Sequence, residues 1–164
     1  LNASGSEQIL LTEEVEILTL YLNLEKLRFG EQFTFDIRVD EQLDLEMMRI
    51  PSIVIQPFVE NAIKHGLLHK NGEKKLSIHF SMKNNSLVCS IYDNGVGRKK
   101  AAEIKARARI SHRSFATEAT QKRLELLNNT RKNKIQLYIT DLEDNGQPTG
   151  TCVIIEIPRE IIYT

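Results

Sequence analysis

Apolar residues near the start of the chain recur at steps of three and four, the period of an amphipathic helix. The stripe consists of Leu11, Val15, Leu18, Leu22, Leu24 and Leu27. Thr12 is a suitable N-cap and Gly30 a suitable end, so the pattern predicts a helix over residues 12–30. Apolar and polar residues then alternate strictly over residues 33–39, which predicts a half-buried strand.

A second apolar segment runs from Ile50 to Gly66 and contains Pro57. Because proline disrupts a helix interior, the segment predicts a helix that kinks or restarts with Pro57 in its first turn. Gly66 is the predicted C-terminal stop. Alternation over residues 76–82 and 87–91, separated by a turn, then predicts a β-hairpin.

Residues 98–114 carry little strand signal and no well-formed apolar face, which predicts a mobile connection with at most a helical turn. Helical spacing returns over residues 116–131, and a final hairpin is predicted around the turn at 144–146. Hairpins accompanied by three helices indicate an α/β fold, a two-layer sandwich whose sheet is covered on one face by helices.

The composition of the chain excludes several classes of protein. Its 164 residues suit one domain, and the contents of 41% hydrophobic and 27% charged residues are ordinary for a globular protein. The chain contains no run of about 18 apolar residues, so no membrane span is predicted, and no secretory signal is recognisable. The 22 basic and 22 acidic residues cancel, which argues against a general nucleic-acid binder. Cys89 and Cys152 are expected to be buried thiols.

The charge is unevenly distributed along the chain. Residues 98–113 contain seven lysines and arginines against one acid, Glu103, a net charge of +6. Such a run is typical of a solvated face, and it would equally suit an anionic ligand held nearby.

A helix over residues 58–65 would place polar and apolar residues on opposite arcs. The polar arc holds Glu60, Asn61, Lys64 and His65. An acid, an amide, an ammonium and an imidazole form a versatile surface. The alternative is a plain amphipathic helix with an exposed Glu60–Lys64 pair, and the helix taken alone favours that alternative.

The sequence DNGVG, from Asp93 to Gly97, directly follows an alternating strand. Its two glycines allow the backbone to approach a ligand closely, and an aspartate at a strand end can accept hydrogen bonds from an exocyclic amine such as that of adenine. Asn-Gly is also a strong hairpin signal, but here a basic segment follows Gly97 in place of a strand. No P-loop, complete dinucleotide fingerprint, zinc-site spacing or nucleophile elbow is present.

These segments in this order resemble the GHKL ATP-binding superfamily, specifically the LytS-type sensor histidine kinases. PSIVIQPFVENAIKHG, from Pro51 to Gly66, is similar to the N box, and Asp93 to Gly97 is similar to the G1 box. Gly150-Thr151 resembles the final glycine box. YLNLEKLRFGEQF, residues 21–33, is similar to the segment that precedes the catalytic domain in these kinases. The resemblance implies a Bergerat ATP-binding fold, an α+β sandwich with a mixed β-sheet.

For the N box, the resemblance implies a role at the phosphates of ATP. Asn61 would coordinate the Mg²⁺ that bridges the phosphates. Glu60, Lys64 and His65 would line the phosphate and metal region, with Lys64 as a phosphate contact.

For the remaining boxes, the resemblance implies contacts to the rest of the nucleotide. Asp93 would accept a hydrogen bond from the adenine amine, Gly95 and Gly97 would let the backbone approach, and Thr151 would lie near the adenine. Residues 98–114 would form an ATP lid. The lid residues expected to contact nucleotide are Arg98, His112, Arg113 and Ser114.

The resemblance also predicts an organisation and a set of partners. Residues 1–11 would be a frayed start or an expression remnant, 12–30 a helix from an upstream acceptor segment, and 31–160 the catalytic domain. The partners would be the parent protein's own upstream histidine-containing dimerisation segment, a second copy in a homodimer, and a response regulator, but no nucleic acid. The parent protein would be anchored in the bacterial inner membrane, with this domain in the cytoplasm.

The chain departs from the family pattern in two places. HRSFAT, residues 112–117, stands where a GxGL-like box usually ends the lid. A phosphoacceptor sequence like NPHFLFN is absent, and the four histidines lie at 65, 69, 79 and 112. The sequence therefore predicts a histidine kinase catalytic domain without its acceptor. Two alternatives stay open: a GHKL ATPase or serine-directed kinase with Glu60 as base, and a degenerate module that only docks partners.

Overall fold

The computed structural model describes residues 7–108 and 115–159, with only the backbone of 115–117. In chain order the strands and helices are β1 (Gln8–Leu10), α1 (Leu11–Phe29), β2 (Phe33–Val39), β3 (Arg49–Pro51), α2 (Gln56–Asn61), β4 (Lys74–Lys83), β5 (Ser86–Asp93), α3 (Arg98–Arg107), α4 (Phe115–Thr130), β6 (Gln136–Asp144) and β7 (Gln147–Pro158). A 3-10 turn, Gly30–Gln32, follows α1, and a π turn, Ala62–Leu67, continues α2.

Five strands form one mixed sheet in the order β2-β4-β5-β7-β6. Strand β2 runs parallel to β4, and the other neighbours are antiparallel. The parallel pair requires a crossover between the two strands, and α2 lies in that crossover. Strands β1 and β3 form a separate two-stranded sheet. The predicted two-layer α/β sandwich is thereby confirmed.

The core lies between one face of the large sheet and the helices. Alternate residues of β4, β5 and β7 point into it and are buried. The largest fully buried side chains include Phe33, Phe80, Leu18, Leu22 and Ile63. The opposite face of the sheet carries half-buried and exposed residues, as strict alternation predicts for a sheet covered on one side.

The start of the chain is more ordered than the sequence predicts. Residues 8–10 form β1, which pairs with β3 in the register Gln8↔Pro51. Helix α1 begins at Leu11, which is fully buried, and the Leu10 backbone N–H donates to Glu13 Oε2 at 2.7 Å. The prediction of a frayed start through residue 11 is wrong for residues 8–11, because β1 depends on a partner about 40 residues away that local patterns do not reveal.

Helix α1 has one buried face and one exposed apolar face. Leu11, Leu18 and Leu22 pack into the core. The exposed apolar face consists of Ile17, Leu20, Leu24 and Leu27, which are 42%, 65%, 57% and 82% exposed. In the part of the chain that the structure describes, no helix has the length and apolar character needed to cross a membrane.

Two further predictions are corrected. The connection predicted from residue 98 onward is a ten-residue helix, α3, because its alanines, lysines and arginines are strong helix formers even without a large apolar face. Gly66 was expected to stop the N-box helix, but it lies within the π turn and is buried.

Candidate functional site

Helix α2 changes geometry at the residues the sequence singles out. Pro57 lies in its first turn, as predicted, and Asn61 is its last α-helical residue. The chain then continues as the π turn, in which the Leu68 N–H donates to the Ile63 carbonyl at 2.8 Å, five residues back. Single π turns inside helices occur frequently at functional sites because they re-aim the side chains that follow.

The π turn packs directly against the loop that follows β5. The Val96 N–H donates to the Gly66 carbonyl at 3.1 Å. A Cβ at Gly66 would lie 2.7 Å from Asp93 Oδ1, and a Cβ at Gly95 would lie 2.5 Å from Gly66 Cα. Both positions therefore require glycine, because any side chain would separate the two turns.

Asp93 is the buried acid at this junction. Its side chain lies at the end of β5, the residue is 3% exposed, and Oδ1 accepts a hydrogen bond from the Gly95 N–H at 2.8 Å. Burial raises the pKa of Asp93 to about 6, although the Gly95 N–H and the nearby Lys70 charge both act to lower it. Thr151, its cross-strand partner on β7, is also buried.

A cavity of about 300 Å³ opens beside Asp93, a size within the range of small-molecule sites. Its lining residues come from α2, the π turn, β5 and the loop after it, α3, β6 and β7. They are Phe58, Asn61, Ala62, His65, Gly66, Asp93, Gly97, Arg98, Ala101, Ala102, Lys105, Ile139, Thr151 and Val153. Apolar side chains form most of the walls, and the polar groups are few and convergent, as in small-molecule binding sites.

The cavity brings together six of the residues predicted from the sequence: Asn61, His65, Asp93, Gly97, Arg98 and Thr151. Gly95 does not line the cavity but fixes the turn through its N–H bond to Asp93. Glu60 and Lys64 do not line the cavity. Glu60 accepts from Gln56 Nε2 at 3.2 Å and lies near Tyr21 of α1, whose pKa it helps to raise after the larger effect of burial. His112, Arg113 and Ser114 lie outside the described residues.

Arg98 has a structural partner that the sequence does not reveal. Its Nε and Nη2 both donate to the Asp141 carboxylate at 2.7 Å, which ties the first turn of α3 to β6. The same ion pair raises the pKa of Arg98 and lowers that of Asp141, each through this side-chain hydrogen bond first.

Lys105 supplies a cation to the cavity that sequence reasoning missed. It lies seven residues after Arg98, two helical turns along the same face of α3. The pKa of His65 is lowered, first by burial and then by the charge of Lys105, with smaller contributions from His69 and Lys64. Lys105 therefore places positive charge at the end of the cavity near His65.

Comparisons with known proteins agree with this geometry. No protein-family model matches the chain. The sensor protein LytS of Staphylococcus epidermidis is 34% identical over 97 residues, which cover 59% of this chain and 16% of that protein. The sensor histidine kinase YpdA of Escherichia coli is 29% identical over 154 residues, which cover 94% of this chain and 25% of YpdA.

Solved structures show the same fold. The catalytic domain of the histidine kinase ThkA superposes with a TM-score of 0.62 at 12% identity, over 94% of this chain and 97% of that domain. ThkA has also been solved in complex with the response regulator protein TrrA. In sequence the chain is similar to LytS-type sensor histidine kinases, and it shares the fold of a histidine kinase catalytic domain. It spans at most about a quarter of the length of the two curated relatives described here.

The domain carries an orphaned polar atom at Asn61, where the sequence predicts a metal ligand. Among the described residues, Asn61 Oδ1 is buried and has no hydrogen-bond partner. The described residues contain no group of three or more acidic, histidine or cysteine side chains that could hold a metal alone. An amide oxygen completed by phosphate oxygens and water is a typical environment for Mg²⁺, so the residues fit this ion.

The sequence motifs do not reveal the apolar walls of the cavity. They are formed by Phe58, Ala62, Ala101, Ala102, Ile139 and Val153. Apolar residues on helices and strands are indistinguishable by pattern from core residues. The sequence of α3 does contain one indication. Ala101 and Ala102 have small side chains, and Lys105 follows Ala101 by one helical turn, so this face of the helix combines little bulk with a positive charge.

Proposed function

We propose that this domain binds Mg²⁺-ATP and transfers the γ-phosphoryl group to a histidine in an upstream segment of its parent protein. The single observation that carries the proposal is the buried Asp93 carboxylate at the apolar cavity between the N-box helix and the loop after β5. The parent protein is proposed to be a homodimer that is anchored in the bacterial inner membrane, with this domain in the cytoplasm, and to pass its phosphoryl group to a response regulator.

At the adenine end, Asp93 selects the base. A buried carboxylate accepts a hydrogen bond from the exocyclic amine of adenine, whereas the carbonyl of guanine would face it with another acceptor. The Gly95 N–H holds Oδ1 in place at 2.8 Å, so the carboxylate is preorganised before the base arrives. Ile139 and Val153 give this end apolar walls.

At the proposed phosphate end, Asn61, His65 and Lys105 line the cavity. Lys105 would neutralise phosphate charge, and Asn61 Oδ1 would hold Mg²⁺. When bound, Mg²⁺ supplies charge neutralisation across the phosphates. The acceptor histidine nitrogen attacks the γ-phosphorus, a P–N bond forms as the bridging P–O bond breaks, and ADP leaves with the electron pair. The domain contributes positioning and electrostatic stabilisation, which dominate phosphoryl transfer.

Calorimetric titration of the chain with ADP and with a non-hydrolysable ATP analogue, with and without Mg²⁺, tests the proposal. We expect micromolar-to-millimolar binding of both and no acid-labile phosphate on the chain itself, because it contains no matching acceptor sequence. The intact parent protein should acquire acid-labile phosphate from ATP. A folded chain that binds no adenine nucleotide would favour the partner-docking alternative, and rapid ATP hydrolysis lost in Glu60→Gln would favour the ATPase alternative.

Asn61→Ala should remove the Mg²⁺ dependence of ATP binding. The variant loses the proposed ligand oxygen, so the gain in affinity that Mg²⁺ gives the wild type should fall by about 10-fold or more. Affinity in the absence of Mg²⁺ should change little, since Asp93 still binds the base. Calorimetry at matched Mg²⁺ concentrations measures both quantities. Asn71→Ala, at an exposed loop asparagine, is the matched control; an unchanged Mg²⁺ dependence in Asn61→Ala would contradict the assignment.

Binding of the base should weaken as the pH falls through about 6. The pKa of Asp93 is raised to about 6, so the carboxylate that accepts the adenine amine is ionised above this pH and protonated below it. The affinity should be constant above about pH 7 and should fall by up to about tenfold per unit well below 6. Adenosine is the appropriate probe because it has no titrating phosphate, and NMR titration can follow its binding. Constant affinity from pH 7.5 to 5 would contradict the role of Asp93.

A further inference from the structure

The short connection between β3 and α2, residues 52–55, has a strained backbone. Ile53 has a φ of +59°, a left-handed conformation that is an outlier for a β-branched residue. Such a conformation persists only where the surrounding contacts hold it, and strained residues cluster at functional sites. The α-helix that follows is only six residues long and ends at Asn61. The contacts that hold this connection therefore also hold the N-box helix.

Arg123 of α4 holds the strained residue through the peptide groups on both sides of it. Nη2 of Arg123 donates to the Ser52 carbonyl at 2.6 Å, and Nε donates to the Ile53 carbonyl at 3.2 Å. These carbonyls belong to the two peptide planes that meet at the Ile53 Cα, and the strained dihedral angles define how those planes are oriented. A planar guanidinium holds both planes in one fixed geometry. Arg123 therefore stabilises a conformation that local sterics disfavour.

Glu14 of α1 holds the point where the connection enters the helix. Its carboxylate accepts a hydrogen bond from the backbone N–H of Gln56, the first residue of α2. The N-cap residue is Ile55, whose side chain has no acceptor, so the local sequence cannot cap this helix. A carboxylate at this end also interacts favourably with the helix dipole. Glu14 is thus the N-terminal cap of α2, supplied by a distant part of the sequence.

Core packing does not explain an acid at position 14. Glu14 is 2% exposed, and among the described residues its Oε1 has no hydrogen-bond partner. Burial raises the pKa of Glu14, although the Gln56 N–H acts to lower it. An apolar side chain of similar size would fill the same space without burying an unpartnered oxygen. The contact that distinguishes Glu14 from such a side chain is the one to the start of α2.

We infer that Glu14 and Arg123 are positioning residues for the nucleotide site. They bind the backbone where α2 begins, and this helix carries Phe58 and Asn61 to the cavity. Asp93 lies on β5 and is held by the sheet instead. Loss of either positioning residue therefore displaces Asn61 and leaves the adenine contact in place. The inference rests on the proposed function only where it takes Asn61 as the Mg²⁺ ligand.

Hydrogen exchange of the unliganded chain tests the role of Arg123 without any nucleotide. In Arg123→Gln, the backbone amides of α2 should lose protection by about tenfold or more, because glutamine lacks the fork that holds both carbonyls. The amides of β4 and β5 should keep their protection, which shows that the variant is folded. Lys122→Gln removes the neighbouring exposed charge and is the matched control. Equal protection of α2 in Arg123→Gln and in wild type would overturn the inference.

Two variants at Glu14 separate capping from packing. Glu14→Gln keeps an acceptor oxygen for the Gln56 N–H, whereas Glu14→Leu removes the acceptor and fills a similar volume. Protection of the α2 amides should survive in Glu14→Gln and fall by about tenfold or more in Glu14→Leu, with β4 and β5 again as the internal reference. Equal protection of α2 in the two variants would overturn the role of Glu14.

Calorimetry then connects the position of α2 to the ligand. Arg123→Gln and Glu14→Leu should each reduce the gain in affinity that Mg²⁺ gives a non-hydrolysable ATP analogue, by about 10-fold. Adenosine should bind both variants with unchanged affinity, because its contact to Asp93 is intact. An unchanged Mg²⁺ gain in variants that have lost α2 protection would overturn the link to Asn61. A wild type that binds no adenine nucleotide would contradict the proposed function, and the exchange measurements would still decide whether the two residues position α2.

Discussion

Asp93→Asn is expected to weaken adenine-nucleotide binding by about 10- to 100-fold at pH 7.5, the range that follows from losing a hydrogen bond to a charged group. Asparagine retains one acceptor oxygen, which the Gly95 N–H already occupies in the wild type at 2.8 Å. The amide nitrogen would then face the adenine amine as a second donor. Calorimetry with ADP measures the loss directly.

The same substitution should make the unliganded domain more stable. The pKa of Asp93 is about 6 in the folded domain against an ordinary 3.8, so the fold disfavours the charged carboxylate. The resulting loss of stability grows as the pH rises from 3.8 to about 6 and is fully present above about pH 6. The shift corresponds to roughly 3 kcal/mol at neutral pH, an upper limit to the gain from Asp93→Asn. Thermal unfolding at pH 7.5 and at pH 4 measures it, and the gain should shrink at the lower pH.

Asp40→Asn is the control for the effect on binding, because it removes an equal charge from a half-buried position beside His79 that does not line the cavity. It should leave ADP affinity unchanged. If Asp93→Asn lost both binding and stability, the loss of binding would reflect unfolding. That result would contradict the proposal that the buried Asp93 carboxylate lowers stability while providing the adenine contact.

Gly150→Ala is expected to destabilise the domain by about 3 kcal/mol or more, lowering the melting temperature by roughly 6–12 °C. Gly150 has a φ of +146°, and a Cβ there would lie 1.9 Å from the Asp93 carbonyl oxygen. Neither backbone can yield without separating β7 from β5, so the binding site is lost with the stability. Thermal and urea unfolding measure the change.

Gly146→Ala distinguishes the steric clash at Gly150 from the backbone strain of placing alanine at a positive φ. Gly146 also has a positive φ, +76°, but a Cβ there has nothing within 4 Å. The control should cost only about 1 kcal/mol, the typical cost of forcing alanine into this region. Equal losses for the two variants would show that contact with the Asp93 backbone is not the cause.

The regular strands of the fold follow from the sequence because strict alternation of apolar and polar residues is compatible with only one kind of structure, a strand with one buried face. Strand β2 has the predicted bounds, Phe33–Val39, since strict alternation is what a sheet covered on one face requires. The hairpin of β4 and β5 follows for the same reason. Strand β1 could not be predicted, because three residues become a strand only through pairing with β3.

Site residues can be predicted from the sequence where the backbone conformation requires a particular residue type. They are harder to predict where packing against distant parts of the chain determines which way a side chain points. Asp93 and Gly97 are fixed by the turn after β5, and both line the cavity. Glu60 shares a polar arc with Asn61, yet it bonds Gln56 and does not line the cavity. The two residues are about 100° apart on the helix, and only the tertiary neighbours decide which part of that arc faces the cavity. The roles in ATP binding assigned to all these residues remain predictions.

The π turn makes this stretch of chain sensitive to length. A π turn accommodates one residue more than the same rise of α-helix, so deleting one residue from Ala62–Leu67 would let the helix close regularly. Later residues would rotate by about 100°, and a side chain would take the place of Gly66 against Asp93. Insertions and deletions in relatives should therefore collect at turns such as those containing Gly72 and Gly146, where the surrounding space is open.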